Sequence, residues 1–357
     1  MTSKERILNA IRGKEIDRVP WSPFLAYYWN YIPSEDRAMG EIAYQKRMGA
    51  DPIIRGSGRA FRVDQRNCVI NSDHVGHKRY TTYETPVGKL TEEYTYSTNA
   101  NSWFITRHPV ETEEDFRILQ YIAENQEIVM DAAALEEDYR RVGDHALVIP
   151  LLGVNGKTAF QSMVEHWCGT EALTYALYDF PEVVEECLAV MRQNDLKAAR
   201  FSAETEVDAF IFWEDSSTTN ISPAMFEAYT APAINEWGRI LHENGKLLIH
   251  HACGHLKDII PAMCANGIDM IESISPPPTG NIDLPEASAL MPSHVGLIGG
   301  IEPTFFKNCT LDELEARVYH LLDTMKGKRF VLANSDSCPP GVEHEKFRLV
   351  GEILRRA

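Results

Sequence analysis

Lys246 to His255 reads KLLIHHACGH, and this stretch decides the fold. Leu247 to His250 is a short, mostly apolar run with the look of a buried strand. His251, Cys253 and Gly254 follow it directly. Side chains at i and i+2 of a strand share a side. His251 and Cys253 can therefore face one metal ion, and imidazole and thiolate are both zinc donors. A third soft donor, Cys338, comes after another apolar run, Phe330 to Ala333, in FVLANSDSCPPG. Two strand ends, each followed by Cys, are what a shared zinc site needs.

The same strand-then-helix rhythm extends outward from this stretch. ALVIPLL (Ala146–Leu152), DAFIFWED (Asp208–Asp215), DMIESIS (Asp269–Ser275) and VGLIGGIEP (Val295–Pro303) read as strands, and a helical pattern follows each. A strand is expected within Asp17–Trp29, and another in the ADPIIR run that ends at Arg55. Helices are expected over Thr2–Arg12 and Thr310–Met325, where Thr2/Glu5 and Thr310/Glu313 have capping-box spacing. Helices are also expected over Thr112–Glu124 and Val129–Val142. About eight such units in 357 residues favour a closed (β/α)8 TIM barrel, in the α/β class, spanning residues 1–357 as a single domain. Residues 68–110 break the rhythm. HKRYTTYETP and KLTEEYTYST alternate around Pro86-Val87-Gly88, so an antiparallel β-hairpin or small sheet is expected there, inserted after the second strand. Gly56-Ser57-Gly58 lacks the third glycine of a dinucleotide loop, with Phe61 in its place.

Net charge is −17, which argues against nucleic acid and anionic membranes as partners. The seven cysteines are scattered and odd in number, in a chain too large to need a disulfide scaffold. The charged start MTSKERILNAIRGK lacks the apolar core of a signal peptide, and no apolar run reaches membrane-spanning length. A soluble, reduced, cytoplasmic protein is expected.

In a barrel of this kind the active site lies where the strands end. The strand ends supply Tyr27, Tyr28 and Trp29, then Asn155, then Trp213, Glu214 and Asp215, then His251 and Cys253, then Glu272, then Glu302, then Asp336 and Cys338. His251, Cys253 and Cys338 are the candidate zinc ligands. Glu214 and Asp215 are candidate catalytic carboxylates, Glu214 also a candidate fourth ligand beside Glu302. Tyr27, Tyr28, Trp29, Asn155, Trp213, Glu272 and Glu302 are the candidate substrate-binding residues. Zinc does no redox chemistry, so alkyl transfer or hydrolysis fits such a site better.

RILNAIRGKEIDRVPW, FWEDSSTTNISPAMFEAY, HHACGH with GIDMIES, GGIEPTFF, TLDELEARV and SDSCPPGVEHEKF together resemble the uroporphyrinogen decarboxylase superfamily over nearly the whole chain. That resemblance implies a (β/α)8 barrel. The superfamily's decarboxylases carry an arginine-containing segment after the first strand. Here that segment is SPFLAYYWNYIP, with no arginine between Arg18 and Arg37. His251, Cys253, Gly254 and Cys338 instead resemble the zinc-dependent, corrinoid-linked methyltransferases, which implies zinc bound by His251, Cys253 and Cys338. It also implies a corrinoid (cobalamin) carried by a separate partner protein, since no D-x-H-x-x-G segment occurs in the chain. The expected activity is methyl transfer from a small-molecule donor, a methoxylated aromatic, to the corrinoid cobalt. The alternatives are transfer from a methylcorrinoid protein to a thiol, and porphyrinogen decarboxylation. The sequence leaves the oligomeric state open, a homodimer included.

Overall fold

Thr2 accepts a hydrogen bond from the Glu5 amide, and Glu5 accepts one from the Thr2 amide. The free donors at the start of the helix Ser3–Arg12 are thus satisfied reciprocally. Gly13, at φ 65°, closes it. Thr310 and Glu313 repeat the device on the helix Leu311–Thr324. Thr310→Ala is expected to cost about 1 kcal/mol of stability, read as a lower urea midpoint at unchanged slope.

The computed structural model describes residues 1–98 and 101–357. Residues 99 and 100, inside the expected insertion, lie outside the described residues. The described strands are β1 (Ile53–Arg55), β2 (Phe61–Gln65), β3 (Val69–Val75), β4 (Lys78–Thr85), β5 (Gly88–Ser97), β6 (Ser102–Arg107), β7 (Gln126–Met130), β8 (Leu147–Ile149), β9 (Ala209–Glu214), β10 (Leu247–Ala252), β11 (Met270–Glu272), β12 (Gly296–Ile301) and β13 (Phe330–Asn334). They fall into two compact units.

The first unit comprises Met1–Gly58, Ala133–Leu151 and Ala203–Ala357. It is α/β, and its strand pairings are parallel. β1 pairs with β8, and a five-stranded sheet runs β13-β12-β11-β10-β9. Leu151, just past β8, bridges to Ile211 of β9, and Trp21 bridges to Leu332 of β13. Alternate residues of these strands share one apolar cluster: Ile53, Leu147, Ile149, Ala209, Ile211, Leu247, Ile249, Met270, Ile298, Val331 and Ala333. Ile7, Leu8 and Ile11 of the first helix join it. β10 is buried on both faces, as expected of parallel strands covered by helices.

The second unit comprises Arg59–Ala132 and Leu152–Ser202. Within it β3 to β6 form a four-stranded antiparallel sheet, and β2 pairs antiparallel with β7.

Two local expectations need correction. The strand foreseen within Asp17–Trp29 shrinks to the bridge at Trp21, and Ala26–Trp29 is a short helix. Pro20 and Pro23 flank that bridge and supply no amide to a ladder. The helix foreseen over Val129–Val142 begins only at Ala133. Residues before it form β7, because β2, more than 60 residues upstream by the Phe61–Met130 pairing, offers a free edge. Among the described residues no helix is long and apolar enough to cross a membrane.

Candidate metal centre

The apolar alternation of the first unit ends in polar groups on the same face. Ile53 is followed at i+2 by Arg55, Ile211 by Trp213, Ile249 by His251 and Met270 by Glu272. The register sets His251 beside both Trp213 and Glu272. One step beyond the core, the strands therefore deliver an arginine, a glutamate, an imidazole and an indole to one layer. His250, with the opposite parity, is buried on the other side, stacked on Phe212 with ring centroids 4.3 Å apart.

His251 Nδ1 donates to Glu272 Oε2 at 2.9 Å, a carboxylate having only acceptors. The other Glu272 oxygen, Oε1, accepts from Arg55 Nε at 2.7 Å. This bonding leaves His251 Nε2 for the mouth of the layer. His251, Cys253 and Asp336 each offer one donor atom there, and these atoms lie within 4.8 Å of one another. Zinc–donor distances of about 2.0–2.3 Å let one ion meet such a set after a small side-chain adjustment. The donor chemistry, one nitrogen, one sulfur and one carboxylate oxygen, also suits zinc. A carboxylate behind the imidazole is the usual support of a metal-bound histidine.

Charge favours a cation here. Burial raises the Glu272 pKa, but Arg55 and His251 outweigh it and bring it to about 2. Burial lowers the His251 pKa, but the Glu272 hydrogen bond and the charges of Glu272 and Asp336 outweigh it and raise it. A metal ion at Nε2 competes for the position that this acidic surrounding would otherwise give to a proton. His250 is the converse: burial, helped by the charge of His251, lowers its pKa to about 3, so it is neutral.

Backbone geometry fixes the two loops that carry the donors. Gly254 has φ 84°, and a Cβ added there would stand 2.5 Å from Ser217 Cβ and 3.4 Å from Asp215 Oδ1. The Cys253 turn is therefore wedged against the end of β9. Gly254→Ala is expected to strain this turn by about 1–3 kcal/mol. Metal affinity should fall about tenfold or more in protein that still folds, as read by chelator competition. The Asn334–Cys338 segment is laced to the chain after Trp21. Asn334 exchanges hydrogen bonds with the Phe24 backbone, the Cys338 amide donates to Phe24 O at 2.8 Å, and the Tyr28 amide donates to Cys338 O at 2.9 Å.

Each sequence candidate has a definite place. Cys338 is fully buried outside the three-donor cluster; its thiol lies 3.7 Å from Pro339 O, and burial pushes its pKa up. Glu272 stands behind His251 with both oxygens engaged. Glu302 caps the helix Pro303–Asn308, accepting from the Phe305 amide and from Thr279. Glu214 is buried, with Oε2 3.4 Å from Ser216 Oγ and 3.8 Å from His250 Nε2. Asp215 accepts from Asn220 at 2.6 Å. Trp213 and Phe24 both lie against the His251 ring, with centroids 6.3 and 5.8 Å away. Tyr27 is exposed, Tyr28 is buried with its hydroxyl 3.1 Å from that of Tyr44, and Trp29 packs on Tyr44. Asn155 belongs to the second unit. Sequence reading passed over Arg55 and Phe24; it noted Asp336 at the last strand end, two residues before Cys338, but gave it no role.

A family model described as uroporphyrinogen decarboxylase (URO-D) matches residues 99–357. The chain belongs to the uroporphyrinogen decarboxylase family. A relative in this family named uroporphyrinogen decarboxylase, from Parasynechococcus marenigrum, is 22% identical over 212 residues, covering 57% of this chain and 56% of that one. A second, from Synechococcus sp. (strain CC9605), is matched over 59% of its length, so the chain spans little more than half of either. A protein of the same name from Prochlorococcus marinus is 19% identical over 355 residues, covering 97% of this chain and 95% of its own. Among solved structures, a methyltransferase from Methanosarcina mazei superposes with a TM-score of 0.63 at 12% identity, covering 100% of this chain and 99% of that one. That likeness is one of fold, and it runs the length of the family member described here.

Proposed function

We propose that this chain is a zinc-dependent methyltransferase, moving a methyl group from a methylated small molecule, a methoxylated aromatic, to the cobalt of a separate corrinoid protein in the cytoplasm. The observation that carries the reading is the gathering of His251, Cys253 and Asp336 donor atoms within 4.8 Å of one another. The fold likeness to a methyltransferase supports it, and the parallel strands of the first unit are consistent with closure as a (β/α)8 barrel.

His251 and Cys253 would hold zinc, with Ser335–Cys338 completing the set. Asp336 stands in the cluster already; Cys338, two residues on, is the thiolate that the family resemblance implies. When bound, zinc supplies Lewis acidity toward the heteroatom that loses the methyl group. The chain's own residues do the rest. Glu272 accepts from His251 Nδ1 and so keeps Nε2 turned to the donor set. Trp213 and Phe24 wall one side of the imidazole and hold water off it. Asp215, beside Gly254, would take up or return the proton of a neighbouring substrate hydroxyl. Glu214 steadies the end of β9 against His250. Exposed Tyr27, next to the Ser337 hydroxyl, offers a substrate or partner contact.

Porphyrinogen decarboxylation fits less well. A substrate with many carboxylates calls for accessible guanidinium groups, but Ser22–Pro33 contains no arginine. The nearby Arg55 is buried and paired with Glu272. Purified protein should demethylate a guaiacol-type ether in the presence of cobalt(I) cobalamin faster than it methylates thiols from methylcobalamin. The reverse ranking would turn the direction of transfer around, and decarboxylation of a porphyrinogen by metal-free protein would overturn the reading.

A further inference from the structure

Resting on the zinc reading above, we propose that Arg55 is a positioning residue for the ligand His251 and acts on it through Glu272. The side chain is 3% exposed. All three of its nitrogens are engaged: Nε with Glu272 Oε1 at 2.7 Å, Nη1 with Ile53 O at 3.3 Å, and Nη2 with Ser22 O at 3.2 Å. The guanidinium therefore has one orientation. A carboxylate is planar, so holding Glu272 Oε1 also fixes the direction from which Oε2 meets His251 Nδ1, at 2.9 Å. The ring plane that results sends Nε2 toward Asp336 Oδ1, 4.0 Å away.

A second contact works in the same sense. Arg55 Cζ lies 5.0 Å from the centroid of Phe24, and Phe24 meets His251 edge-on, at 81° between ring planes. This contact is weaker than the charged hydrogen bond to Glu272 and accounts for the residual factor of about three allowed in the double variant below. Lysine could not replace it, because one ammonium cannot meet two backbone carbonyls and a carboxylate in a fixed plane. Arg55 needs no contact with substrate for this role. Its effect is on which ring nitrogen is presented and how firmly.

The test is a double-mutant cycle on metal affinity, using zinc with a competing chelator and cobalt(II) absorption as the spectroscopic readout. The unsubstituted protein should bind one metal ion per chain; failure to bind would sink the zinc reading itself and this inference with it. Arg55→Met and Glu272→Gln should each weaken binding about 10- to 100-fold and shift the cobalt(II) spectrum, the range found for supports of metal-bound histidines. Because Arg55 acts through Glu272, the double variant should be within about threefold of Glu272→Gln alone, whereas independent effects would multiply. Should Arg55→Met fail to fold, Arg55→Lys takes its place in the same cycle, since one ammonium cannot hold the Glu272 plane. Wild-type affinity and spectrum in Arg55→Met, or a double variant weaker than Glu272→Gln by the full single-variant factor, would overturn the proposal.

Discussion

Cys253→Ala is expected to strip the metal from the protein and to lower methyl transfer to cobalt at least 100-fold. Cys253 provides the sulfur of the three-donor cluster. Structural zinc sites bind with about 10–16 kcal/mol spread over four ligands, so one ligand is worth about 3 kcal/mol, or a factor above 100. The fold should not suffer, since Cys253 is half-buried at the strand end and outside the apolar cluster of the first unit. Metal content and thermal melting of the variant check both halves. Unchanged metal content would remove Cys253 from the site. Asp336→Ala and Cys338→Ala, measured alongside, apportion the third position. The first removes a donor already in the cluster. The second removes a buried thiol whose loss also leaves a small void.

Asp51→Ala is expected to cost about 3–5 kcal/mol of stability, because it breaks a buried ion-pair set from one side. The Asp51 carboxylate is 1% exposed and is met by Arg6 Nη1 at 2.5 Å and Arg18 Nη1 at 2.7 Å. It also accepts from the Trp21 amide at 3.3 Å, so it ties the first helix to the Trp21 bridge. Removing it leaves Arg18 without this carboxylate and Arg6 with Asp17 and the Met1 carbonyl. Set against a typical total of about 5–15 kcal/mol, the loss is large, and urea unfolding measures it. The same network sets an acid limit. Arg6 holds the Asp17 carboxyl well below its usual range. A depressed folded-state pKa stabilises above the unfolded value and is lost as pH falls through the folded one. The contribution of this half-exposed pair should therefore be intact at neutral pH and fade only below about pH 4.

Much of the site could be read from the chain because the strand period is two. Once Leu247–Ala252 is a strand, His251 must follow Ile249 on the inner face, and His250 must not. Capping boxes at Thr2 and Thr310 were legible for the same reason, each being a local hydrogen-bond geometry with a fixed spacing. What escaped depends on partners far away in sequence. The Arg55–Glu272 pair joins residues 217 positions apart, and nothing near either one announces the other. Asp336 rather than Cys338 faces His251 because Asn334 and Cys338 are bonded to the Phe24 backbone, 310 positions from Asn334, and those bonds set the turn of an irregular segment. β7 escaped because its apolar pattern suits a helix or a strand, and only pairing with β2 decides between them.

Metal analysis of purified protein with its thiols kept reduced tests the central claim most directly. About one zinc per chain, lost from His251→Ala and Cys253→Ala while melting of the metal-free protein stays unchanged, is the expected result. Protein that folds and carries no zinc after incubation with a stoichiometric amount would contradict it.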